Sequence, residues 1–186
     1  YPRLNLVENA SAQGLCFTLR DQDTHQLAGV VNSFYPGTAN AAAGAASITV
    51  GPGQGAGQSI QSGDLLLVIQ MQDATINSSN TSAYGSGGIS GSGYTNPGNS
   101  GRFEFVVAAS DVDYATGGTL SINGAGTGNG LLYAYTNANG STTSGQRRFQ
   151  VVLVPAYLNA SLTGNLTASP WNGTTGGVLA LEVVNS

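Results

Sequence analysis

Short runs in which apolar and polar positions alternate with period two recur along this chain between polar, glycine-rich stretches, and none reads as a helix. The strongest element is GDLLLVIQMQD, from Gly63 to Asp73. Leu65, Leu66, Leu67, Val68 and Ile69 form an unbroken apolar run, too short for an ordinary helix and preceded by a Gly-Asp turn. Such a run reads as a central strand buried on both faces. Gln70 and Gln72 then alternate with Met71, so the far end of the strand is expected to open one face to water.

Shorter strands are expected around it. Leu4 and Leu6 alternate with Asn5, and Leu15, Phe17 and Leu19 alternate with Cys16, Thr18 and Arg20, with a loop from Asn9 to Gly14 between the two patterns. From Ala28 onward, strands are expected in AGVVNSFYPGTA, ending at the Pro36-Gly37 turn, and in Ser47 to Val50. Others are expected in RFEFVVAAS from Arg102, GTLSINGAG with an Asn-Gly turn at Asn123, and LLYAYTNANG from Leu131. RRFQVVLVPAY from Arg147 and GGVLALEVV closing at Val184 complete the set. Asn77 to Ser100 reads as a long polar loop. About ten strands with a turn roughly every ten residues give an all-β chain. The expected architecture is a jelly-roll-like β-sandwich with an extended N-terminal arm, residues 1–27, ahead of a sandwich domain, residues 28–186. A barrel is the second choice. A parallel β-helix is the third, because the glycine-rich turns have no fixed period.

Composition narrows the setting. The 186 residues suffice for one domain with a core. Charged residues are only 8%, against roughly a quarter in typical soluble domains, so Ser, Thr, Asn, Gln and Gly must keep the surface wetted. This favours a surface that packs against something or carries sugar. Five arginines, no lysine and a net charge of −4 make nucleic acid a poor partner. No apolar stretch reaches membrane-spanning length, so no membrane span is expected. Cys16 is the one cysteine, which excludes an internal disulfide; it is expected to act as a small hydrophobe. The chain opens at Tyr1 with no initiating Met. A mature product after signal removal would look so, and so would a trimmed chain.

Candidate chemistry is sparse. Asp111 and Asp113 in SDVDY could offer oxygen ligands to calcium, but the full calcium-loop spacing is absent and a solvated turn is expected. Asp21, Asp23 and His25 would share one face of a strand, yet no nucleophile elbow accompanies them. Glu8, Glu104 and Glu182 are the only glutamates; Glu104 and Glu182 lie within strands and are expected to form structural ion pairs with Arg102, Arg147 or Arg148. No catalytic residue, cofactor or metal is therefore expected. Tyr84, Tyr94, Tyr133, Tyr135 and Trp171 could stack on sugar rings, but such side chains also fill sandwich rims. The N-x-[ST] pattern of glycan acceptors occurs at Asn9, Asn77, Asn80, Asn139, Asn159, Asn165 and Asn172, a mild excess over the roughly three that chance would give in so Asn-, Ser- and Thr-rich a chain.

The segments GDLLLVIQMQDATINSSN, GRFEFVVA, GQRRFQVVLVPAY and WNGTTGGVLALEV resemble, in the same order from about Ala28 to Val184, a β-rich module recurring in secreted bacterial surface proteins. The resemblance implies export and a surface or extracellular role, and carries no catalytic residue with it. Relatives continue where this chain ends, and a short free-standing module is expected to work by self-assembly. The arm lies outside that likeness. In layout it resembles the donor strands of pilus and biofilm-fibre subunits, in which an extended N-terminal segment completes a neighbour's sheet. Fully extended, the arm could reach up to roughly 90 Å, against a domain roughly 40 Å across. Burying Leu4, Leu6, Leu15, Phe17 and Leu19 would contribute on the order of 7–15 kcal/mol, and association with ordering of the arm would cost a similar amount. Two fates are open to the arm: donation to a neighbour, giving a homopolymer, or folding back as the first strands of its own sandwich. The function expected is a non-catalytic subunit of an extracellular filament. A monomeric carbohydrate-binding adhesin is the alternative, and a hydrolase is a third.

Overall fold

The computed structural model describes residues 8–10, 15–19, 21–77, 93–142 and 144–185; for residues 8–10, 21–23, 77 and 94 this means the backbone alone. The chain is all-β. Its strands are β1 (Glu8–Ala10), β2 (Leu15–Phe17), β3 (Asp21–Gly29), β4 (Ser33–Pro36), β5 (Ser47–Val50), β6 (Gln54–Gly55) and β7 (Leu65–Gln72). They continue as β8 (Thr75–Asn77), β9 (Gly93–Asn96), β10 (Phe103–Ala108), β11 (Gly118–Asn123), β12 (Arg148–Val154), β13 (Ala156–Leu166) and β14 (Glu182–Val183). The only helical element among the described residues is a single 3-10 turn, Thr127–Asn129.

Seven strands form one antiparallel sheet in the order β5-β11-β10-β7-β12-β4-β6. The apolar run therefore does sit at the centre. Its side chains alternate between two cores, as a strand's must. Leu66 and Val68 join Tyr35, Val106, Leu120, Phe149 and Val151 in one cluster. Leu65 and Leu67 join Phe34, Val107, Val152 and Val154 in the other. The sheet curls until β4 and β5, far apart in strand order, meet at a Gly37–Val50 bridge. A glycine is needed at position 37, because a Cβ there would run into the Phe149 ring.

The second core lies on the other face and is covered by three pieces of chain. One is the arm. One is the start of a parallel three-stranded sheet, β14-β13-β3. The third is the strap from Thr167 to Leu181, whose Val178 and Ala180 pack onto this core. Together these layers make the sandwich.

Five expectations need correcting. Gln70 does not open to water: it is buried, and its amide does a backbone's work, accepting from Thr136 N–H (2.8 Å) and donating to the Thr136 carbonyl (2.8 Å). LLYAYTNANG is not a strand but an irregular loop held by isolated bridges at Tyr135 and Ala138, its apolar residues Leu131 and Tyr135 plugging the first core. GGVLALEVV supplies only the two residues of β14. The expected loop from Asn77 to Ser100 holds a strand, β9, which pairs with β8, and the strand expected to end at Tyr157 runs on as the eleven-residue β13.

Candidate functional site

The seat of the arm begins at the turn before the central strand. Asp64 closes it, its carboxylate accepting from Gln61 N–H (2.8 Å). Gly63 follows with φ +92°, a conformation that favours glycine. The Gly63 carbonyl accepts from Thr18 N–H at 2.8 Å. Position 63 also tolerates no Cβ, which would meet the Thr18 hydroxyl. From that hydrogen bond the arm lays its alternate side chains on the second core. Phe17 and Leu19 are each only 4% exposed, and Leu15 packs half-buried against the same cluster. Cys16, one step out of phase, is exposed rather than buried.

Three of the five expected arm residues, Leu15, Phe17 and Leu19, thus come together, and they do so on their own chain's core. Leu4 and Leu6 lie outside the described residues. In the single chain the fold-back arrangement is the one seen. β1 and β2 form a hairpin, Glu8 facing Phe17, that pairs with no other strand among the described residues. The expected arm boundary at residue 27 falls inside β3, which runs on to Gly29 beside β13.

Comparison of the chain with family models, with curated proteins and with solved structures finds no match.

Glu104 is fully buried but is not held by an arginine. Its two carboxylate oxygens accept from the backbone N–H groups of Leu132 (2.8 Å) and Tyr133 (3.0 Å), pinning the 131–138 loop. Arg102 lies over the Tyr133 ring, 5.0 Å from its centroid. The Tyr135 phenol is held well above its ordinary pKa, first by burial and then by the charge and hydrogen bonding of Glu104. Gln150 and Asn32 do for the strap what Gln70 and Glu104 do for the loop. Gln150 pairs with both backbone polar groups of Gly176 (2.8 and 2.9 Å). Asn32 grips Ala180 in the same two-point way. These buried polar groups are satisfied in the manner of structural clamps.

Asp111 accepts from Ser62 N–H, and Asp113 caps its own turn through the N–H groups of Ala115 and Thr116, as expected of a solvated turn. No group of three or more potential metal ligands occurs among the described residues. Arg147 lies 3.2 Å from Asp73, and Arg148 binds the Ala138 carbonyl and the Asn137 and Asn139 side chains. Glu182 lies half-buried in β14. His25 stacks on Tyr157, centroids 4.5 Å apart; the side chains of Glu8, Asp21 and Asp23 lie outside the description.

Of the aromatics, Tyr135 is a core residue, Tyr133 is half-buried under Arg102 and Trp171 is half-buried in the strap. Tyr84 and the Tyr94 ring lie outside the description. Among the glycan acceptors, Asn139 and Asn165 are exposed and Asn159 is half-buried. The exposed Asn172 has its amide nitrogen committed to Gln54 (2.6 Å) and its carbonyl oxygen to Thr174 and Thr175. Asn80 and the side chains of Asn9 and Asn77 are not described. No helix among the described residues is long and apolar enough to cross a membrane.

Proposed function

We propose that this chain is a non-catalytic structural subunit of an extracellular filament or surface assembly, joined to its neighbours by exchange of the N-terminal segment. The observation that carries the reading is the seat itself. A short strand with two deeply buried side chains completes a core built by distant parts of the chain, and its main-chain tie to that core is the Thr18–Gly63 bond. The energies leave exchange open, because gain and cost nearly cancel. Burying Leu15, Phe17 and Leu19 contributes about 5–9 kcal/mol. Ordering five residues costs about 5–10 kcal/mol. The seat is thus occupied marginally in cis, and an identical arm from a neighbour satisfies it equally well. A head-to-tail exchange that does not close on itself grows into a fibre. The charge-poor surface and the resemblance to exported surface modules support the extracellular setting, and the exposed sequons Asn139 and Asn165 are open to covalent glycans.

The test is negative-stain microscopy of the full chain beside a Phe17→Ser, Leu19→Ser variant. Fibres from the parent and none from the variant are expected. A variant that assembles as well as the parent removes the arm from the mechanism.

A further inference from the structure

The parallel pair β3/β13 is unusual. Parallel sheets are normally covered on both faces, yet from Ser161 to Asn165 every residue of β13 is exposed, and Leu162 is 67% exposed. One edge of β13 is bonded to β3. On the other edge, β14 reaches only Ala156 and Tyr157, with one further backbone bond from Asn185 N–H to the Leu158 carbonyl. Among the described residues, no backbone pairs with that edge from Asn159 to Leu166, and the one contact there is the Asn185 side-chain amide donating to the Asn159 side chain (3.3 Å). Proteins normally protect such an edge with lysine, proline, another charge or a bulge. Residues 158–166 contain no charge and no proline, and the register shift between Leu162 and Leu166 is the one such device on the free stretch.

The sequence of this edge is Leu158-Asn-Ala-Ser-Leu162-Thr-Gly-Asn-Leu166, and it reads nearly the same in both directions. Turned about Leu162, it sets Leu162 against Leu162 and Ala160 against Gly164; Leu158, whose carbonyl already accepts from Asn185 N–H, lies just outside the free edge. On the alternate positions it sets Ser161 against Thr163 and Asn159 against Asn165. Residues directly opposite in an antiparallel pair share a face. Each apolar or small residue therefore meets another of its kind, and each polar residue meets a polar one. The absence of charge also lets two copies of an acidic chain approach here without repulsion. The charged β3 residues Asp21 and Asp23 lie at the far end, while Leu27 is the β3 neighbour of Leu162.

We propose that two copies of this chain pair antiparallel through the open edge of β13, about a two-fold axis at Leu162. The product is a continuous sheet in the order β3-β13-β13-β3. The β3 ladder is regular from Asn159 to Leu162 and irregular between Leu162 and Leu166, so each regular half meets the irregular half of its mate. A single strand edge buries less than the roughly 1,000 Å² of a stable specific interface, so the pair is reversible in solution. It strengthens by multivalency when many copies are held in one assembly. The contact is separate from arm exchange: exchange joins subunits head to tail, and this edge ties two such rows side by side.

Cysteine cross-linking of the full chain in a Cys16→Ser background tests the register. Opposed residues in an antiparallel pair have Cα atoms about 4.5–5.5 Å apart, inside the disulfide range of about 4.4–6.8 Å. Leu162→Cys is expected to form a dimer under mild oxidation. Ser161→Cys and Thr163→Cys are each expected to do so poorly alone and readily when mixed. Sedimentation of the parent should show concentration-dependent pairing, weakened by at least about tenfold in Leu162→Lys, which sets two ammonium groups across the axis. Leu162 is exposed, so these variants keep the fold. If Leu162→Cys links no faster than Ser161→Cys alone, or if the parent stays monomeric at high micromolar concentration with no Leu162→Cys dimer, the proposal is overturned. Leu162→Lys leaves arm-mediated fibres intact while abolishing their lateral pairing, and the Phe17→Ser, Leu19→Ser variant does the reverse. Failure of one contact is therefore told apart from failure of the other.

Discussion

If the arm is an exchangeable cover rather than an integral strand, truncating it must have a saturating effect. Phe17 and Leu19 are both 4% exposed and share one cluster with Leu65, Leu67 and Val107. In a fixed core, Phe→Ala costs about 3–5 kcal/mol and Leu→Ala about 2–5 kcal/mol. A strand that can lift away limits the loss to its own docking free energy, beyond which further truncation costs nothing. Near-cancellation of burial against ordering keeps that docking free energy to a few kcal/mol. We therefore expect each single variant to destabilise by about 1–3 kcal/mol, below the fixed-core range. The double variant should cost little more than the larger single one, a non-additivity characteristic of a shared element. Urea unfolding of the three variants measures this, with a dye that binds apolar surface as a second readout. The double variant should bind the dye while its main unfolding transition keeps its slope. Additive losses of about 6 kcal/mol or more, with no dye-binding folded state, would show that the arm is part of the fold and refute the reasoning.

Other outcomes follow from the clamps and sequons. Glu104→Leu should cost about 2–5 kcal/mol in urea unfolding, because the N–H groups of Leu132 and Tyr133 lose their buried acceptor. The Tyr135 phenol holds its proton more tightly in the folded chain, so its contribution to stability is intact below pH about 10 and is lost above it at about 1.4 kcal/mol per pH unit. Alkaline titration of Tyr135→Phe should show a shallower fall than the parent. In a host that N-glycosylates, glycopeptide mapping should find sugar at the exposed Asn165 and Asn139 more fully than at Asn172, whose amide nitrogen is held by Gln54; full occupancy at Asn172 would contradict this.

The sheet was legible where side-chain polarity follows strand geometry. Leu65 to Ile69, Ser47 to Val50 and the strands at Phe103 and Arg148 all carry the apolar faces that their cores demand. The arm residues Leu15, Phe17 and Leu19 were legible for the same reason. Illegible were places where polarity and burial part company. Gln70 and Gln150 look like surface residues, and Glu104 looks like one half of an ion pair, yet each is buried because its side chain satisfies backbone groups that would otherwise be orphaned. Leu131 to Tyr135 look like a strand because loop side chains can plug a core without pairing. β13 is the converse: a strand with almost no apolar pattern, because its later half, from Ser161 to Asn165, projects into solvent. Which core the arm covers could not be read either, since alternation gives a buried face without naming its partner.

The central claim is exchange, and it is tested most directly by asking whose arm fills each seat. Isotopically heavy and light chains, each with a photo-crosslinker in place of Thr18, would be unfolded, mixed and assembled together, then irradiated. Mass spectrometry of peptides spanning the Gly63 turn should show heavy arms joined to light seats and light arms to heavy seats throughout the assembled fraction. Heavy joined only to heavy and light only to light would mean that every arm stays at home.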